Sequence, residues 1–389
     1  MARRRRPPVI NVYSVWSSSY AHQIALGAIR RIQALGGRPC VLRHEPSLSE
    51  LAVDGVTGLF APSTAKALLE RGIPAVNVSQ ARIENLLLPS VLPDNRLAGR
   101  LAAEHLLERR YTTVLYLSNP LIYSELRAEG VREAVRAAAG RYIEAPSVEA
   151  EAALRSLPLP AGVTGANDTI VRNAMETAVR MKRHVPDHLA FVGITNDEIE
   201  CLMAQRPLSS VDLNAEAIGD RAARLLMRLI AGQPAPPEPI LIPPAGVVTR
   251  TSSDMLATSD SWVARMVRYA RDHLADGLTV QDLASRFGMG RQYLSQEFHA
   301  RAGCTVVEML QHLAVNRAKH LLAGSDLSIG QVASECGYND LPYFGVMFRR
   351  LTGNTPAAYR AQSHFAALRG EGLARPAEQR RRPGPSNPC

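Results

Sequence analysis

The chain predicts two doubly wound, parallel α/β subdomains followed by an all-α domain with two helix-turn-helix motifs. Three observations carry this. From residue 8 to 250, short β-branched runs alternate with amphipathic helical stretches, the pattern of a parallel sheet with crossover helices. Such a stretch is too long for one hydrophobic core, so it divides in two. After residue 260 the strand pattern stops and two similar helical runs appear, TVQDLASRFGMGRQYLSQEFHARA from Thr279 and LSIGQVASECGYNDLPYFGVMFRR from Leu327.

Taken in order, residues 1–7, with Arg3 to Arg6, read as a disordered basic arm. The α/β domain occupies 8–250. Its strands are expected at 9–15, 39–43, 55–60, 75–78, 113–118, 162–166, 190–194 and 209–212, and its helices at 21–35, 63–71, 96–109, 124–139, 169–181 and 215–231. Folds of this kind bind ligands beyond the carboxyl ends of their strands. The loops there hold Trp16, Ser17, Ser18, Ser63, Ser79, Asn119, Asn167, Asp168, Asn196 and Asp197, hydrogen-bonding groups suited to a small polar ligand. Polar residues are also usual in any surface turn, so each position alone carries little weight. The proline-rich stretch from Gln233 reads as edge strands, and 251–260 as a linker.

The helical domain is expected at 261–362, opening with Trp262 to His273. Thr279 and Ser328 sit at cap positions, Val280, Leu283 and Ala284 match Ile329, Val332 and Ala333 as apolar stripes, and Gly288 and Gly337 supply turns. Residues 306–322 have the period of one long connecting helix. A single helical hairpin of this kind can be purely structural. Two copies on one rigid unit place two helices for successive major grooves, about 34 Å apart. Residues 363–389, rich in Arg, Pro, Gly and Ser, read as a disordered tail.

Charge agrees with that division. The net charge of +9, from 45 Lys and Arg against 36 Asp and Glu, is concentrated after residue 260 and in Arg3 to Arg6, which suits duplex DNA as a partner. The five cysteines, Cys40, Cys201, Cys304, Cys336 and Cys389, form no CxxC pair and have no histidine at metal-ligand spacing, the usage of a reducing cytoplasm. No secretion signal and no apolar run of membrane-spanning length is present. No phosphate-binding glycine loop, metal cluster or nucleophile with a paired base is visible, so neither an enzyme nor a cofactor is expected.

The run Ile329, Ala333, Gly337, Tyr338, Tyr343, Phe344, Phe348, Gly353, Thr355, Pro356, Tyr359 and Arg360 resembles the AraC/XylS regulators, and Leu283, Ala284, Tyr293, Leu294, Phe298, Gly303, Arg317 and Ala318 fit the first half of the same domain. A second resemblance rests on Asp94-Asn95, Gly99, Ala102 to Leu107, Arg109, Arg127 with Gly130, Asn167-Asp168, Val192-Gly193, Asn196-Asp197 and Leu208 to Val211. These are similar to the sugar-sensing core of the LacI/GalR regulators, related to periplasmic sugar-binding proteins. Together they imply a periplasmic-binding-protein-like sensor ahead of an AraC-type DNA-binding domain, as in xylose-responsive activators. The implied partners are double-stranded DNA, a small polar ligand such as a pentose, RNA polymerase and a second copy of the chain in a homodimer, with no membrane.

The candidate ligand-binding residues are Trp16, Ser17, Asn77, Asn119, Arg127, Asn167, Asp168, Thr195 and Asn196, with Arg127 implied as the cleft arginine that forks onto adjacent ligand oxygens. His105 reads as a packed structural histidine. For DNA, Arg291, Gln292 and Gln296 are the candidate base contacts of the first unit and Asp340, Tyr343 and Arg349 of the second, with Arg301 and Arg350 on phosphate. Three positions depart from the family patterns. Pro342 stands where a small polar residue is frequent, and Thr195 and Asn77 stand where carboxylates are frequent. Neutral groups accept more weakly from sugar hydroxyls, so a non-sugar ligand, or no ligand, stays open beside a pentose, and an enzyme on the α/β body is the remaining alternative.

Overall fold

The computed structural model describes residues 6–13, 18–42, 53–79, 87–254, 260–325 and 327–361. Residues 1–5 of the basic arm, Trp16 and Ser17 of the expected cleft, 255–259 of the expected linker and 362–389, the last domain residue and the whole tail, lie outside them.

The amino-terminal lobe is a parallel sheet ordered β2-β1-β3-β4, formed by β1 (Val9–Tyr13), β2 (Arg38–Leu42), β3 (Gly55–Gly58) and β4 (Ala75–Asn77). Helix α1 (Ser19–Ala34) covers one face and α2 (Pro62–Glu70) the other, each through buried aliphatic residues: Ile10, Val12, Ile24 and Ile32 on one side, Val56, Ala65 and Leu68 on the other. After β5 (Val91–Pro93) the chain crosses into the second lobe with α3 (Asn95–Glu108), β6 (Thr113–Ser118), α4 (Ile122–Ala137), β7 (Arg141–Pro146), α5 (Ala150–Ser156), β8 (Ala161–Gly165), α6 (Asp168–Arg180), β9 (Leu189–Thr195), α7 (Glu198–Met203) and β10 (Ser209–Asp212). It returns through α8 (Ala215–Ile230), which packs on α1, then β11 (Ile240–Ile242) beside β5, and re-enters the second sheet as β12 (Gly246–Val248). That sheet is ordered β12-β10-β9-β8-β6-β7, parallel except for β12.

Each lobe holds one close helix crossing made by two glycines. A Cβ on Gly27 would lie 2.1 Å from the Glu216 carbonyl oxygen and one on Gly219 1.9 Å from that of Ile24; on the other lobe, Gly99 would meet the Arg127 carbonyl oxygen at 2.0 Å and Gly130 that of Arg96 at 1.9 Å. Contacts this short admit only glycine. The second crossing fixes the backbone of Arg127.

The helical domain contains α9 (Ser261–Asp272), α10 (Val280–Arg286), α11 (Arg291–Ala302), α12 (Val306–Gly324), α13 (Ile329–Glu335) and α14 (Leu341–Thr352) around one core that includes Met266, Leu294, Phe298, Leu313, Phe344 and Phe348. Thr279 with Asp282 and Ser328 with Gln331 form full capping boxes at the first helix of each pair, so both expected caps are present. Gly288 and Gly337, at φ of 65° and 81°, make the turns.

Two expectations are corrected. Residues 251–254 are not linker: Ser252 Oγ donates to the Phe191 carbonyl at 2.6 Å, the Ser209 N–H donates to Ser252 Oγ at 2.8 Å, and Ser253 Oγ lies 2.8 Å from both Ser209 Oγ and His105 Nε2, with both serines buried. The sheet edge absorbs them because each hydroxyl finds a buried partner. The second correction concerns β5 and β7, a crossover and an edge strand that the alternation pattern did not predict, whereas β11 and β12 fall in the stretch from Gln233 expected to form edge strands.

Candidate ligand cleft and nucleic-acid interface

The carboxyl ends of β6, β8, β9 and β10 face the amino end of α1 across the interlobe cleft. At its centre Asp168, wholly buried, accepts from Ser210 Oγ at 2.6 Å, Thr195 Oγ1 at 2.7 Å and the Asp197 N–H at 2.7 Å. Burial pushes its carboxyl above the usual range while these three donors pull it back. A Cβ on Gly193 would lie 1.9 Å from Asp168 Oδ1, so the glycine makes room for the carboxylate. The network also holds Thr195 at φ 144°, a conformation a β-branched residue rarely adopts, and Asn196 at φ 52°.

Asp197 spans the lobes. Its Oδ2 accepts from Ser18 Oγ at 3.1 Å and from the Ser19 N–H at 3.0 Å, while the Glu198 N–H donates to Ser19 Oγ at 3.0 Å. Beside this strap stands Arg127, buried, with Nε donating to Asn95 Oδ1 at 2.8 Å, Nη1 to the Ala166 carbonyl and its guanidinium 4.7 Å above the Tyr123 ring. Burial lowers its pKa, opposed by the hydroxyls of Tyr116, Tyr20 and Tyr123 and by Asp168. Tyr20, from α1, lies within electrostatic reach of Arg127 and Asp212, and its burial raises the phenol.

The expected ligand-binding residues therefore separate. Arg127, Asp168, Thr195 and Asn196 do converge, but most of their polar atoms are used within the protein. Asn196 donates to Asp212 at 3.3 Å and accepts from Arg250 at 2.8 Å. Asn167 caps α6 through the Ile170 N–H at 2.9 Å, and Asn119 bonds Tyr123 and the Leu121 N–H. Asn77 is a correction to the cleft-facing expectation: wholly buried, it donates to the Ser79 carbonyl and Ser90 Oγ and accepts from the Ser79 N–H, so its amide ties β4 to the crossover. Tyr20, Tyr123 and Asp212 were not among the candidates. Tyr20 follows the first strand's loop in sequence, the one signal that could have found it. His105 is buried as expected, with its pKa lowered by desolvation.

On the helical domain the second helices of the two units correspond fifty positions apart, with Tyr293 and Tyr343, Phe298 and Phe348, Gly303 and Gly353 in equivalent places, and the first helices correspond forty-nine apart. Arg291, Gln292 and Gln296 are exposed on α11, and no described residue bonds their side chains. Arg349 is likewise exposed on α14. Three of the expected contact residues also have partners within the protein. Asp340 caps α14, accepting from the Tyr343 N–H at 2.9 Å; the Tyr343 hydroxyl accepts from Gln311 at 3.1 Å; and Arg301 is held by Glu297 and Asp260 with its guanidinium 5.2 Å over Trp262. Arg350 donates to Gln311 at 2.6 Å, so Gln311 ties two residues of α14 to α12.

The helical domain rests on the second lobe. Arg268 donates to the buried Asp187 at 2.9 Å, Arg110 to the Ala302 carbonyl at 2.8 Å and Asn316 to the Asp254 carbonyl at 2.8 Å.

A two-lobed α/β body with an interlobe cleft, joined to paired helix-turn-helix units, defines the class. Residues 103–253 match the periplasmic binding protein-like domain and residues 283–362 the helix-turn-helix domain. Among relatives, the xylose operon regulatory protein of Escherichia coli K12 is 31% identical over 207 residues, 53% of each chain, so the match spans about half that relative's length. The protein of the same name from Haemophilus influenzae is 27% identical over 338 residues, covering 82% of this chain and 87% of its own. A solved structure titled as the xylose-binding transcription activator xylR shares the fold, with a TM-score of 0.70 at 24% identity over 92% of this chain and 99% of its own. A cellobiose complex of the transcriptional regulator CelR matches 64% of this chain at 23% identity, TM-score 0.52, with 85% of its own length covered.

Proposed function

We propose that the chain is a ligand-responsive, sequence-specific DNA-binding transcription regulator, an activator of a sugar catabolic operon of the xylose kind, working in the cytoplasm as a homodimer with RNA polymerase. The observation that carries this is the pairing of two helix-turn-helix units in one register with an interlobe cleft whose buried arginine stands opposite α1. Both relatives named above are regulatory proteins of xylose operons, which supports the sugar class. No helix among the described residues is long and apolar enough to cross a membrane. Ligand closing the cleft would favour one orientation of the Asp197 strap over another, and the contacts at Asp187 and Asp254 would carry that preference to the helices.

A second reading is favoured by a specific observation. Thr195 and Asn77 replace carboxylates, and Asn77 and Asp168 spend their polar atoms internally, so the ligand can be a polar molecule other than a sugar, or be absent. Thermal unfolding with pentoses, hexoses and sugar acids separates the two. A sugar at a hundred times its dissociation constant should stabilise the chain by about 2.7 kcal/mol. Stabilisation by none of the sugars would remove the sugar reading.

A further inference from the structure

The two reading helices differ in chemistry at equivalent positions. Where α11 presents Arg291, Gln292 and Gln296, α14 presents Leu341, Pro342 and Val346. Val346 is 70% exposed and Leu341 44%, although the buried side of the same helix accommodates Phe344 and Phe348 completely. Beside Val346, a Cβ built on Gly345 would have no heavy atom within 4 Å, so no described residue covers this face there. The polar groups nearest to it are spent, with Asp340 on the cap and the Tyr343 hydroxyl on Gln311. Arg349 and Arg350 follow on the same helix, a placement suited to phosphates flanking a groove.

Base edges in the major groove are hydrogen-bonding groups except for one apolar feature, the C5 methyl of thymine. An aliphatic side chain set against any other edge would strip water from donors and acceptors without replacing it. We propose that α14 reads thymine C5-methyl groups by apolar contact through Val346, with Leu341 alongside, whereas α11 reads its half of the site by hydrogen bonds. This rests on the DNA-binding reading and specifies what the second unit recognises.

The full chain is first used to select duplexes from a random library, and each thymine of the selected site is then replaced singly by deoxyuridine, which lacks only the methyl. At one or two positions in a single half-site the replacement should weaken binding about fourfold, the value of about 0.8 kcal/mol for one buried carbon. Val346→Ala should bring that ratio close to one, and Gln296→Ala should leave it unchanged. Val346→Gln should move the preference at that position toward adenine, whose N6 and N7 a glutamine can bridge. Deoxyuridine without effect at every position, or a penalty that persists in Val346→Ala, would overturn the proposal while leaving DNA binding intact. If no duplex is enriched, the DNA-binding reading fails and this inference fails with it.

Discussion

The interlobe cleft and the outer face of α11, the face proposed to read DNA, are both built from polar side chains, yet they use them in opposite ways. In the cleft, Asp168 and Asn196 are bonded inward, and even Arg127 has two of its donors on Asn95 and Ala166. On α11, Arg291, Gln292 and Gln296 are exposed and have no side-chain partners among the described residues. The difference follows from what each must do. A ligand cleft gains from having its groups positioned before ligand arrives, because a folded network meets the cost of ordering side chains in advance. A groove-reading helix is positioned by its core and needs its outer groups unspent.

The sharpest way to break this contrast is at Asp168. Replacement by Ala leaves the donors of Thr195, Ser210 and Asp197 without an acceptor and should destabilise the chain by about 3 kcal/mol or more in urea unfolding, with Asp168→Asn losing less. A change below 1 kcal/mol would mean that the carboxylate is not structural. Next comes Asp254 at the junction, where burial pushes the carboxyl up to about 6 despite Arg271, Arg109 and Arg206. Between pH ~4 and ~6 the folded state holds a proton on Asp254 that the unfolded state has lost, so this residue's contribution to stability should fall as pH rises through that window, by up to about 3 kcal/mol, and stay level above it. Asp254→Asn should flatten this slope, as urea titrations at several pH values would reveal. The smallest effect belongs to the reading face: Arg291→Ala should leave stability within about 0.5 kcal/mol. It should cost about 1–3 kcal/mol of DNA affinity at one base position, seen in binding assays on single-base variants of a selected site. Equal loss on every sequence would transfer Arg291 to the phosphates.

These same residues explain what could be read in advance. Periodicity placed the helices of both helix-turn-helix units because caps such as Thr279 and Ser328, turns at Gly288 and Gly337 and apolar stripes are local, within one turn or two of each other. The α/β order was equally legible, apart from strands such as β7 (RYIEAP), whose sheet-edge position removes the buried run. The cleft was legible only as a neighbourhood. Whether Asn77 or Tyr20 faces it depends on tertiary relations such as the bond of Asn77 to Ser90 and the placing of Tyr20 within electrostatic reach of Arg127 on the other lobe. Ser252 and Ser253 looked like linker because their composition is that of loops; their partners, Phe191 and Ser209, lie more than forty residues away in the chain.

That anchoring has a consequence for how a signal could travel. Asp254 is fixed to the second lobe and to Asn316, and Asp260 caps α9 through the Trp262 and Val263 N–H groups. Six peptide steps separate them, a leash of about 20 Å at full stretch. With so little slack, the helical domain cannot wander through a large volume around its partner body. A displacement of the β10 and β12 edge that exceeded this length would have to draw α9 after it.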